Sequence, residues 1–170
     1  MGQTLARGER MFAVTQLLYG VIVTWPREIS DARGSVRHVL RPPMPDPLGE
    51  VYFSRVEYGV VKAWHLHTKM TLRYTVAYGR ILLGLFDART GSPTEGQVDT
   101  IWLSDTGADY KMVTIPPGIW NGFRGDPDGW AEPAVVLNCA DMAHDPNEIV
   151  RANPRGFLPD FPWGEYTLGG

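Results

Sequence analysis

The sequence has a single cysteine, Cys139, among 170 residues. That excludes an internal disulfide and suits a reducing compartment. Runs of like charge are also missing. Lys and Arg number 16 against 19 Asp and Glu, a net charge of -3, so neither nucleic acid nor an anionic membrane is the expected partner. No apolar stretch reaches the ~18 residues that a spanning helix needs. The strongest, residues 11–25 (MFAVTQLLYGVIVTW), contains Gln16 and Gly20 and lacks a small-x-small cleavage site. It reads as strand material, and a cytoplasmic protein is expected. Helix-period patterns, internal repeats, low-complexity segments and domain boundaries are scarce or absent. One domain over residues 1–170 is expected: an arm to about residue 18, a β region over about 19–140, and a C-terminal segment beyond.

Plentiful glycine (19) and proline (14) punctuate short runs rich in Val, Ile, Leu, Tyr and Trp. These fall at residues 19–25, 50–56, 60–67, 72–77, 80–87, 100–103, 110–115 and 134–138, and they predict an all-β sandwich or barrel. Leu72, Tyr74 and Val76 alternate with Arg73, Thr75 and Ala77, the period of a half-buried strand. Tyr78-Gly79 reads as a hairpin turn into RILLGLFDAR. RPPMPDPLG (residues 41–49) reads as an extended loop, because proline denies a helix its donors. DPNEIVRANP predicts one short C-terminal helix, with Asp145 as N-cap and Pro146 at the first position.

GVVKAWHLHTKM (residues 59–70) carries two histidines, His65 and His67, two positions apart in a strand. Strict alternation places both on one face, together with Ala63. Three readings are open. A metal-binding cupin uses such a His-x-His pair with a Glu soon after and a later His. Here Thr71 and Leu72 stand where the Glu belongs, and Asn121 stands where the His belongs. A second reading makes both imidazoles structural, hydrogen-bonded in a polar pocket. The third makes one of them a proton carrier.

The third reading comes from resemblance. SRVEYGVVKAWHLH (residues 54–67) resembles the S-R-x-x-x-G-V-L-R-G-L-H-F-Q segment of the dTDP-4-dehydrorhamnose 3,5-epimerase family. Asp31-Ala32-Arg33-Gly34 resembles its D-E-R-G, VAYGR (residues 76–80) its V-V-R-G-E, and LFDAR (residues 85–89) its V-A-V-D-L-R. IPPGIWNGF (residues 115–123) resembles I-P-E-G-F-A-H-G-F, and Asn153-Pro154 with Phe161-Pro162-Trp163 resembles the late D-P and W-P. The pieces are colinear over roughly residues 15 to 163.

The resemblance implies a cupin jelly roll, active without metal or other cofactor as a homodimer closed by strand exchange. It implies epimerisation of a nucleotide-diphospho-4-keto-6-deoxy sugar in deoxysugar, polysaccharide or natural-product biosynthesis. His65 matches the base that removes a proton beside the C4 ketone. Lys62 matches a substrate-associated Arg, a role that needs a bulge to bring it to the face of His65. Arg33 would hold the diphosphate. His67 falls at a family Gln and would orient substrate or hydrogen-bond the C4 oxygen.

This chain departs from the family at several points. The family's enolate-stabilising Lys aligns with Leu72, its acid Tyr with Val136 or Leu137, and its second His with Asn121. The aspartate that partners the base lies beyond W-P, where this sequence reads GEYTLGG. Tyr74 is the candidate substitute acid, and Asp141, His144 or Asp145 the candidate partner of His65. Asn121 and Trp120 are expected near substrate, Trp120 and Trp130 flanking a barrel-mouth loop (GIWNGFRGDPDGW) where they can stack on a base or sugar. Cys139 is a small buried hydrophobe. The alternative reading is a non-catalytic cupin that binds a sugar nucleotide or other small ligand.

Overall fold

Residues 15–41, 47–126 and 132–168 are described by a computed structural model, and their regular structure is almost wholly extended. The strands are β1 Thr15–Gln16, β2 Ile22–Thr24, β3 Glu28–Asp31, β4 Gly34–Arg37, β5 Glu50–Val56, β6 Val60–His67 and β7 Leu72–Tyr78. They continue with β8 Arg80–Asp87, β9 Val98–Ser104, β10 Met112–Ile115, β11 Ile119–Gly125, β12 Ala134–Ala140, β13 Ile149–Arg151 and β14 Thr167–Leu168. One short helix, α1, spans Pro154–Phe157. No helix among the described residues is long and apolar enough to cross a membrane.

The longer strands build two sheets. The first runs β1-β2-β10-β7-β12-β5, and the second runs β13-β6-β11-β8-β9 with β14 paired alongside β6. All pairings are antiparallel except β14 with β6. A detached hairpin, β3–β4, stands apart. Alternation fills the space between the sheets, with Leu72, Tyr74 and Val76 of β7 joining Leu83, Leu85, Ile119 and Phe123 in one buried cluster. This is a cupin jelly roll.

A second apolar layer lies behind the second sheet. Val61, Trp64, Leu82 and Trp120 pack there against Phe161 and Trp163 of the C-terminal segment. Trp64 meets the Phe161 ring edge-on at 4.7 Å between centroids and Trp163 at 5.1 Å. Gly84 makes this possible, since a Cβ there would lie 2.5 Å from the Trp163 ring. Arg124 ties the segment down by donating to the carbonyls of Trp163 and Glu165. Among the described residues the indole N–H groups of Trp64 and Trp163 lack partners, which aromatic packing offsets.

Three local expectations need correction. Tyr78-Gly79 is no hairpin, because β7 and β8 belong to different sheets; Gly79, at φ 81°, turns the corner between them. Within the segment read as a barrel-mouth loop, Ile119–Gly125 form β11, a central strand paired on both sides, and residues 127–130 lie outside the described residues. Trp130 lies outside the described residues, as do residues 42–46 of the proline-rich loop. The helix expected at residues 145–154 is instead a turn followed by β13, held against β6 by pairing of Ile149, Val150 and Arg151 with His67, Leu66 and His65. Asp145 caps only a turn, accepting from the Asn147 amide at 2.9 Å. α1 starts later, capped by Asn153, whose side chain accepts from Arg155 N at 2.9 Å.

Candidate active site

Alternation along β5 turns Glu50, Tyr52 and Ser54 inward and leaves Val51, Phe53 and Arg55 exposed. β6 breaks the same rule at one place. Asn121 of β11 lies opposite His65, and Phe123 lies opposite Lys62, so β6 sets two residues, Ala63 and Trp64, against the single Gly122 of β11. This bulge brings Lys62 onto the face of His65 and His67. Ala63 goes the other way, outward with Val61 and Trp64, so it does not share the histidine face. The three side chains join Glu50, Tyr52, Ser54, Tyr74, Phe123, His144, Ile149 and Arg151 around a cavity of about 320 Å³ between the sheets.

In this cavity the His65 imidazole is hydrogen-bonded to no described residue. Burial, and then the charges of Arg151, His67 and Lys62, lower its pKa to about 4. It is therefore a neutral acceptor at any ordinary pH. Lys62 donates to Ser54 Oγ at 2.8 Å and to the Arg55 carbonyl at 3.1 Å, linking the two walls. Its ammonium retains a third donor for a ligand. Burial lowers the pKa of Lys62.

His67 is held differently. Its Nδ1 contacts Glu148 Oε1, and the Glu148 side chain is almost completely buried. Glu148 Oε2 accepts from the backbone amides of Thr68 at 3.0 Å, Lys69 at 3.2 Å and Met70 at 3.4 Å. Burial pushes its pKa up, but the His67 contact and these N–H donors outweigh burial and hold it below the ordinary carboxylate value. With Nδ1 engaged, Nε2 is the nitrogen His67 has for the cavity. Glu148 is the carboxylate that backs a histidine, and the histidine is His67. Asp141 serves the backbone instead, accepting from Thr71 N at 2.9 Å. His144 sits at the cavity rim, where its amide donates to Glu50.

Other expected residues stand elsewhere. Trp120 points to the outer layer, against the Phe157 ring at 4.4 Å between centroids, so it cannot stack on a ligand in this cavity. Asn121 faces inward, but its amide donates to the carbonyls of His65 and Ile119 and accepts from the Tyr74 hydroxyl at 3.3 Å. It braces the cavity floor and is not among the lining residues. Arg33 lies at the β3–β4 turn, exposed and paired with Asp31 at 2.6 Å, away from the cavity of its own chain. Cys139 is buried and free. Among the described residues no three His, Cys, Asp or Glu side chains come together as a metal cage. Sequence reasoning missed Tyr52, Glu148 and Arg151, although the alternation of β5 was a usable signal for Tyr52.

The chain is similar to known proteins in sequence and in fold. A family model described as dTDP-4-dehydrorhamnose 3,5-epimerase matches residues 15–148, and the chain belongs to that family. A dTDP sugar isomerase from Desulfovibrio desulfuricans G20 is 34% identical, with a TM-score of 0.80 over 88% of this chain and 94% of that one. A probable low-salt glycan biosynthesis epimerase of Haloferax volcanii is 34% identical over 95 residues, a match spanning 55% of this chain but 58% of the relative. The spore coat polysaccharide biosynthesis protein SpsL of Bacillus subtilis is 25% identical over 160 residues, 90% of this chain and 95% of that protein. The protein thus stands among the sugar-nucleotide epimerases.

Proposed function

We propose that the protein inverts a carbon next to the C4 ketone of a nucleotide-diphospho-4-keto-6-deoxy sugar, supplying a deoxysugar for a polysaccharide or a glycosylated natural product. The observation that carries this reading is His65, neutral and hydrogen-bonded to no described residue, in a cavity it shares with the cations Lys62 and Arg151. A proton on C3 or C5 is acidic because the C4 ketone takes up the charge as an enolate. His65 removes it, and a cation meets the developing oxyanion. Leu72 stands where the family has its enolate-stabilising lysine, so that charge falls to Lys62 or Arg151. His67, backed by Glu148, orients the sugar.

A homodimer is part of the proposal. β5 is one edge of the first sheet among the described residues, with Phe53 68% and Val51 50% exposed, and the β3–β4 hairpin exposes Ile29 and Val36. A second copy covering these surfaces can bring Arg33 to a neighbour's cavity, where its guanidinium suits a diphosphate. Light scattering at micromolar concentration checks this, and a monomer mass would refute it. The unpaired Cys139 supports a cytoplasmic location.

The test of the reaction is exchange with solvent. Incubated in heavy water with dTDP-4-keto-6-deoxyglucose, the protein should place deuterium at C3 or C5. No label from this or several other nucleotide 4-keto sugars would leave a ligand-binding cupin without catalysis.

A further inference from the structure

Inversion needs a second proton carrier. The base that strips a carbon from one face cannot deliver a proton to the other. Val136 and Leu137, where the resemblance puts a tyrosine, have no proton to give. Two tyrosines line the cavity, Tyr52 and Tyr74, and their surroundings differ.

Tyr74 is 7% exposed and its hydroxyl donates to Asn121 Oδ1, so its proton is committed inside the protein. Burial, with Tyr52 nearby, pushes its pKa far above the usual phenol value. Tyr52 is half-buried on the wall formed by β5, facing the strand that carries His65 and His67. Its oxygen accepts from Asn138 Nδ2 at 2.9 Å. Asn138 is fully buried, and its Oδ1 is fixed by the Arg73 amide at 3.0 Å, which leaves the NH₂ end aimed at Tyr52. The phenol therefore receives a fixed donor, while its own O–H is given to no described residue. Tyr52 also lies directly opposite Asn138 on β12, one position along from Leu137. The wall is the one expected, reached from the neighbouring strand.

We propose that Tyr52 is the acid that protonates the enolate on the face opposite His65, an assignment resting on the epimerase reading above. In the forward step the C–H electron pair becomes the C=C bond of the enolate, the ketone pair moves onto oxygen, and the proton goes to His65. The enolate then takes the Tyr52 proton on its far face. The C=O bond reforms, leaving tyrosinate and imidazolium. Asn138 stabilises the tyrosinate by its hydrogen bond. Loss of one proton from His65 to solvent and gain of one by Tyr52 restores both groups.

The experiment separates exchange from inversion. Wild type and Tyr52→Phe are each incubated in heavy water with dTDP-4-keto-6-deoxyglucose and followed by NMR. In Tyr52→Phe, label should still enter from the His65 side within about tenfold of wild type, while inversion falls roughly 100-fold or more, the scale of a lost general acid. Binding of dTDP and the melting temperature check that the variant is folded. Replacing Tyr52 by a fluorotyrosine, which keeps the ring shape and acidifies the phenol, should move the alkaline limb of the inversion profile to lower pH. Inversion at the wild-type rate in Tyr52→Phe would overturn the assignment, as would loss of exchange in proportion to inversion or an unmoved alkaline limb. So would loss of inversion in Tyr74→Phe alone. A wild-type protein that neither exchanges nor inverts would instead overturn the epimerase reading itself.

Discussion

The two faces of β6 differ sharply although they share eight residues. The inner face presents Lys62, His65 and His67 to a polar cavity, and the outer presents Val61 and Trp64 to an aromatic layer that the C-terminal segment closes. One bulge separates the two roles. The comparison teaches that a strand can hold chemistry and cohesion back to back, provided the alternation slips once, so that three chemical groups fall on one side.

Changing the inner face should break the reaction and spare the fold. His65→Asn is expected to cut deuterium exchange by roughly 100- to 10,000-fold, with dTDP binding and melting temperature near wild type. His67→Asn should cost the reaction less, because the role proposed for His67 is to orient the sugar and that proposed for His65 is to remove the proton. Unchanged exchange in His65→Asn would dispose of the mechanism.

The outer face should behave in the opposite way. Trp64→Ala removes a fully buried ring and is expected to cost about 3–5 kcal/mol of stability. For a chain of this size that is on the order of 10 °C in melting temperature, read by calorimetry. Below the new melting point the exchange rate should stay within a few-fold of wild type. A variant as stable as wild type but catalytically dead would erase the division between the faces.

The smallest effect sharpens the inner face alone. An imidazole acts as a base only when neutral, and the folded pKa of His65 is lowered to about 4 from the 6.5 of a free imidazole. Lowering the pH from 7 to about 5 should therefore leave kcat/KM nearly level, and the acid loss should begin only near pH 4. An acid limb near 6.5 would assign proton abstraction to a group other than His65.

Much of this division could be read in the sequence, and the failures have physical causes. β5, β6 and β8 fall where the apolar runs predicted, because their turns carry clear Gly and Pro signals. β11 escaped because its glycines resemble loop residues. Gly122 is needed because a Cβ there would lie 2.2 Å from Ala63 Cβ, and Gly125 because one would lie 2.3 Å from the Glu57 carbonyl. Close packing against the bulged strand and against the turn that leads into it, which no local pattern encodes, selected them. Asp145-Pro146 imitates a helix start, but pairing with β6 takes Ile149–Arg151 as strand. His65 was legible from its resemblance to a known segment, and the need for a bulge at Lys62 from alternation. Glu148 was not legible, since it gains its meaning from a histidine 81 positions earlier.

That separation has a consequence for how the protein is made. A chain leaving the ribosome exposes both histidines and Trp64 long before Glu148, Arg151, Phe161 and Trp163 exist. Until they follow, the cavity lacks part of its wall, and the tryptophan side of the second sheet is open to any other unfinished chain. The same closing stretch completes the chemistry and hides the adhesive surface. The cavity wall and the cover over that surface therefore arrive together, with the segment that follows β12.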